Sequence, residues 1–219
     1  SASSLANQYY AFFNVLCMGI IGGSSVLAAQ YWGAGNSEKV RETFSMALRL
    51  ALGAALFFTV LTLSIPDRIM GIYTSEPAVI DQGVRYLRIT AFIFVIHGTG
   101  LVAAQLMRSV GQAKLGLVVS IISFVINILA NYIFIFGKFG APALGITGAA
   151  IATLTSRVLE FVIVAVYAPR YRRVPLMLRL LLRPGGAMAR SFLKYATPVL
   201  VNEVLWGLGV SVMAAVMGH

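Results

Sequence analysis

Apolar residues run along this chain in long continuous stretches, and the charged residues gather between them. Six stretches stand out: about 9–32, about 44–65, the segment between Arg88 and Arg108, the segment between Lys114 and Lys138, about 144–168, and about 192–217. A helix needs about 20 apolar residues to cross about 30 Å of hydrocarbon. The alternating segments of about ten residues that build a membrane barrel are not seen. The pattern therefore predicts an all-α, polytopic membrane helix bundle with six transmembrane helices. The second stretch is the least continuous, since it is charge-free only over 50–66, and Arg49 at its start must snorkel toward the interface. Gly19, Gly22, Gly23, Ser24 and Ser25 crowd the first stretch, and Gly145, Gly148, Ala149 and Ala150 open the fifth. Small residues of this kind let helix backbones approach closely.

Composition supports the same class. The chain is 59% hydrophobic and 11% charged, against about 45–50% and about 25% in soluble domains. Too little charge is present to cover a water-facing surface, which excludes a soluble globular protein and a disordered one. The single cysteine, Cys17, cannot form an internal disulfide and is expected to pack in the core. The chain starts at Ser1 without the basic region of a signal peptide, and it is expected to be a fragment of a longer protein.

A net charge of +10 suggests nucleic acid only until the charges are placed. Lys39, Arg41, Arg108, Lys114, Arg170, Arg172, Arg173, Arg179, Arg183, Arg190 and Lys194 follow the first, third and fifth stretches. Only Arg68, Arg85, Arg88 and Lys138 follow the second and fourth, and Asp67, Glu76 and Asp81 offset them. The positive-inside rule then makes loops 33–43, 108–114 and 169–194 cytoplasmic, and the basic charge needs no nucleic acid to explain it. The stretch 169–194 is either an ordinary cytoplasmic loop or a linker lying on anionic lipid headgroups.

Ionisable and amide side chains inside the membrane carry the candidate chemistry, because each needs a partner, a wet cavity or a role. Glu203 lies about nine residues past Lys194, roughly 13 Å into the membrane, and follows Pro198. It is a candidate coupling or substrate carboxylate. Arg157 and Glu160 are three residues apart and share a helix face, as either an intrahelical ion pair or a gate. Asn127 and Asn131 are four apart on one face, as interhelical glue or as a cavity lining. His97 and Gln30 stand alone. No HExxH, GxSxG or GxxxxGK[ST] motif and no pair of cysteines is present, so neither an enzyme nor a metal site is expected.

Four segments carry a family likeness. AAQYWGAGNSEKVRETF at 28–44, RSVGQAKLG at 108–116, NILANYIFIFGKFGAPALGITGAAIAT at 127–153 and PVLVNEVLWGLG at 198–209 resemble, in order, stretches of the MATE (multidrug and toxic compound extrusion) transporters. That family has twelve helices in two six-helix lobes. The resemblance implies that the chain holds helices two to seven. Residues 1–168 would be the N-terminal lobe without its first helix, 169–191 the basic inter-lobe linker, and 192–219 the first helix of the C-terminal lobe. It also implies export of organic cations and other xenobiotics across the plasma membrane, against entering protons or sodium, with no other cofactor. Asn127 and Thr153 match polar positions of the family's fifth and sixth helices. Asn131 falls where some members place a cation-binding Asp, and as an amide it cannot titrate. Glu203 resembles an acidic residue of the seventh helix.

Two rival readings remain at this level: a flippase for a lipid-linked precursor, and a non-transporting membrane scaffold. Membrane lipids, the cargo and the remainder of the same transporter are the expected partners.

Overall fold

The apolar stretches fold as helices in the computed structural model, which describes residues 2–140, 142–167 and 186–217, with side chains over 8–140, 142–145, 147–167 and 189–206. In chain order the helices are α1 (Ala2–Gly33), α2 (Ser37–Ser64), α3 (Pro66–Gly71), α4 (Pro77–Thr90), α5 (Ile93–Ser109), α6 (Ala113–Phe136), α7 (Ile146–Tyr167) and α8 (Gly186–Met217). Among the described residues α1, α2, α6 and α7 are each long and apolar enough to span a membrane, and α4 with α5 makes a fifth as a bent pair. Short turns join α1 to α2 and α5 to α6. Between α1 and α2, Gly35 takes a φ of +72°, a left-handed conformation that costs glycine little. Asn36 then caps α2 by accepting the Lys39 backbone N–H at 3.1 Å. Gly137, with φ +66°, ends α6 in the same left-handed region.

One expectation needs correcting. The segment between Arg88 and Arg108 is not one straight helix. It is broken at Ala91 and Phe92, where α4 and α5 meet at 51°. A break inside a membrane must re-satisfy the backbone it frees. Here the Thr59 hydroxyl of α2 donates to the Ala91 carbonyl at 3.0 Å, and the Thr90 hydroxyl donates back to the Tyr86 carbonyl at 2.9 Å. The short α3, begun by Pro66, has no counterpart in the apolar pattern. Helix α8 starts at Gly186, ahead of residue 192, and most of the basic stretch 169–194 lies outside the described residues. Arg49 does fold along its own helix, with its guanidinium on the Ser45 carbonyl and hydroxyl at 3.3 and 3.2 Å.

Helix α1 is the hub and packs on α2, α4, α5 and α8. Toward one end, Tyr9, Phe13, Phe58 and Phe94 form an aromatic cluster in which Phe13 meets Phe94 edge-on at 5.0 Å. Gly98 makes room for it, because a Cβ there would sit 2.4 Å from Phe13 Cζ. Cys17 is fully buried in this cluster. The other end is mostly aliphatic, with Val40, Leu106 and Met107 around a single fully buried ring, Phe44. Phe57, Leu117 and Phe136 face outward, as hydrocarbon-facing side chains do.

The glycines of α1 set its distance from α8. A Cβ on Gly19 would collide with the Leu200 side chain, one on Gly22 with Val199, and one on Gly23 with the backbone nitrogen and Cα of Ala196 at 2.9 Å. Side chains can turn aside, but backbone cannot. Gly23→Ala is therefore expected to lower stability by about 1–3 kcal/mol through overpacking. Gly53→Ala, on a face of α2 where an added Cβ meets nothing within 4 Å, is expected to be neutral or to stabilise by up to about 1 kcal/mol. Thermal unfolding of the two variants in one detergent checks the contrast.

Candidate functional site

Two polar stripes face each other across α6 and α7. On α6, Ser120, Ser123, Asn127 and Asn131 recur at three- and four-residue steps, and on α7 Thr153 is followed three and four residues on by Ser156 and Arg157, and Arg157 three residues on by Glu160. Such spacing places each set on one helix face. The close approach of the helices comes from Gly148, where a Cβ would lie 2.3 Å from the Phe134 carbonyl oxygen.

Hydrogen bonds tie the stripes together in one direction. The Asn131 amide donates to Asn127 Oδ1 at 3.0 Å, Asn127 Nδ2 donates to Ser156 Oγ at 3.1 Å, and Ser156 Oγ donates to the Thr153 carbonyl at 2.9 Å. Ser123 adds a longer bond, 3.4 Å, to the Ser156 carbonyl. Each donor polarises the next, which strengthens a chain of this kind in a low-dielectric setting. One turn further along α7, Arg157 Nη1 holds Glu160 Oε2 at 2.7 Å.

These stripes wall a cavity of about 450 Å³. Asn127, Thr153, Ser156, Arg157 and Glu160 line it, with Ser120, Ser123 and Phe124 on the α6 side. Tyr10 of α1 and Tyr86 of α4 close the remaining walls. A volume of this size suits a drug-sized guest, and the lining is mostly polar, with three aromatic rings among hydroxyls, an amide and an ion pair. A smaller void of about 30 Å³ lies beside it, between Tyr10, Thr153 and the α4–α5 bend. Among the described residues no cluster of His, Cys, Asp or Glu could hold a metal.

Four sequence candidates thus share the cavity wall: Asn127, Thr153, Arg157 and Glu160. Asn131 stands behind it and orients Asn127. Glu203 is not a lining residue. It is half-buried on α8, one turn past Leu200 on the stripe that Ala196 and Val199 begin and that packs on α1. His97 is buried next to Tyr10, with ring centroids 5.6 Å apart. Sequence reasoning missed Ser120, Ser123, Ser156, Tyr10 and Tyr86. The serines were legible, because they continue the helical periodicity of residues already chosen. The tyrosines were not, because they arrive from other helices.

A membrane helix bundle that keeps a hydrogen-bonded polar cavity in its interior has the architecture of a membrane transporter. Residues 1–133 match the model of the MatE family, and the chain belongs to that family. It is 26% identical, over 99% of its own length and 47% of the relative's, to the probable multidrug resistance protein NorM of Thermotoga maritima. It is 28% identical, over all of its length and 48% of the relative's, to the probable multidrug resistance protein YoeA of Bacillus subtilis. The chain thus spans about half the length of these curated relatives. In fold it is similar to an inward-facing multidrug resistance MATE family transporter of the MOP superfamily, with a TM-score of 0.82, 22% identity, and coverage of 92% of this chain and 45% of the other. It is also similar to MATE crystallised in complex with MaD3S, with a TM-score of 0.83, 22% identity, and coverage of 98% and 48%. A multi-pass membrane protein of all-helical fold, as the apolar pattern predicts, is therefore established.

The cross-helix bond from Asn127 to Ser156 can be measured. Combining Asn127→Ala with Ser156→Ala should reveal a coupling of about 0.6 kcal/mol, the average for interhelical hydrogen bonds in membranes. A double-mutant cycle on thermal stability reads it, and strictly additive losses would mean that the bond does not tie the helices.

Proposed function

We propose that the intact protein is a cation-coupled antiporter that exports organic cations and related xenobiotics across the plasma membrane in exchange for protons or sodium. The observation that carries this reading is the cavity between α1, α4, α6 and α7, open on one side and polar on its α6 and α7 walls. The multidrug resistance names of the relatives support the cargo class. In this reading residues 1–168 form one lobe, 169–191 link it to the next, and 192–219 begin the second. Loops 33–43, 108–114 and 169–194 face the cytoplasm, as their excess of Lys and Arg favours. Rocking of the two lobes about the cavity gives alternating access.

Asn127 and Thr153 contact cargo, Asn131 fixes the Asn127 amide, and Glu203 couples the ion from α8. A flippase for phosphate-bearing lipids calls for unpaired cationic side chains in the cavity. Among the described residues the lining cation is Arg157, which is paired with Glu160, and this favours the export reading.

The test uses the full-length protein in proteoliposomes loaded with a fluorescent organic cation. An imposed proton or sodium gradient is expected to drive the dye, and the effective gradient names the coupling ion. Glu203→Gln should cut gradient-driven movement by about tenfold or more, since an intramembrane carboxylate of this kind is retained for a role. Undiminished, gradient-dependent movement in that variant removes Glu203 from the mechanism.

A further inference from the structure

The outward face of α6 changes chemistry along its length. Ile122, Val125 and Leu129 follow one another at three- and four-residue steps, and Tyr132 and Phe136 continue the line with their rings 6.0 Å apart. All five are exposed. Phe139 comes three residues later, just past the end of the helix, and is 90% exposed. Aliphatic side chains thus give way to aromatic ones toward one end of a span. That is the order expected where a helix leaves hydrocarbon for the headgroup region.

Phe139 is also strained. Among the described residues it is the only one other than glycine with a positive φ, +56°. A bulky side chain in the left-handed region is an outlier, because its Cβ crowds the following carbonyl. Backbone bonds on both sides impose the conformation. The Lys138 N–H donates to the Ile133 carbonyl at 3.1 Å, and the Leu144 N–H donates to the Phe134 carbonyl at 2.9 Å. Glycine would make the same turn without penalty and without placing a ring outside. Strain and exposure therefore both fall on one side chain. Both are offset if the ring enters an apolar phase, because burying a phenylalanine outweighs the left-handed penalty.

We propose that Phe139 is a membrane anchor, held out by its loop so that the ring seats at the boundary between phospholipid headgroups and acyl chains. Its partner is the bilayer itself. The site is continuous with the apolar outward face of α6, a helix long and apolar enough to span a membrane. The neighbouring Lys138 is exposed and supplies a cation for a lipid phosphate. The loop joins α6 to α7, and Gly148 holds the two helices close. The anchor therefore fixes the depth of both. Where the cavity is read as the cargo site, its Asn127 and Thr153 wall keeps one level in the membrane while the lobes rock.

A nitroxide label reports where position 139 lies. Phe139→Cys and, separately, Lys138→Cys are made in the full-length protein with its other cysteines replaced by alanine. Each is labelled and placed in nanodiscs of phosphatidylethanolamine and phosphatidylglycerol, which open both leaflets to reagents. Collisions with oxygen, which concentrates in the bilayer, are compared with collisions with a nickel chelate, which stays in water. The ratio of oxygen to nickel collisions is expected to be about threefold higher at 139 than at 138, because the apolar phase excludes a polar chelate. A ratio at 139 no higher than at 138 places the ring in water and overturns the anchor. An immobilised label at 139, shielded from both reagents, places the ring against protein, either the rest of the transporter or a second copy, and overturns it too. The measurement involves no transport, so the anchor and the export reading fail separately.

Discussion

Hydrocarbon supplies no hydrogen bonds, so this chain must satisfy within itself every polar group it carries into the membrane. It meets most of that demand in two ways, while Tyr10 Oη, His97 Nδ1 and Gln105 Oε1 are buried without a hydrogen-bond partner. Ser24, Thr62, Thr90 and Thr99 turn their hydroxyls back onto carbonyls one turn earlier in their own helices. Such bonds settle the group locally and say nothing about neighbours. Thr59, Ser123 and Asn127 instead reach another helix, and Thr62 does so as well by donating to the Tyr9 hydroxyl at 3.3 Å. These bonds fix where helices meet, and two of the four lie on the α6–α7 wall of the cavity. The site is thus the place where the demand for polar satisfaction is met between elements.

Packing serves that wall. Lipid tails are as apolar as the helices, so association depends on close fit. Gly148 brings α6 and α7 near enough for an asparagine to bond a serine across them. Gly98 and the Phe13–Phe94 contact lock α1 to α5, which holds Tyr10, three residues before Phe13 on α1, against the cavity. The bend between α4 and α5, held open by Thr59, lets α4 lean its Tyr86 over the same space.

Much of this could be read from the chain. Hydrophobic runs gave α1, α2, α6 and α7, because length and apolar content are dictated by membrane thickness. The run between Arg88 and Arg108 gave the wrong shape, because Ala91 and Phe92 are ordinary helix residues and the freed Ala91 carbonyl finds its partner, the Thr59 hydroxyl, on another helix. Asn127, Thr153, Arg157 and Glu160 were legible because a charge or amide in hydrocarbon needs a reason. Their relation was not. Spacing puts Arg157 beside Glu160 but cannot say that both look into a cavity, since that depends on where α1 and α4 stand.

The charges also constrain how cargo and ion can share the protein. Among the described residues the carboxylates deep within the apolar stretches are Glu160 and Glu203, and the position where the family likeness suggests an Asp is the amide Asn131. Glu160 already faces Arg157, so a proton or sodium ion that took it would strand a guanidinium in the cavity. In the proposed export cycle Glu203, which does not line the cavity, leaves the polar groups of that cavity to cargo. Helix α1 touches α8 through Gly19, Gly22 and Gly23 and lends Tyr10 to the cavity wall. It therefore joins the helix that carries Glu203 to the polar cavity, with close glycine packing along one stretch and an aromatic cluster along the other.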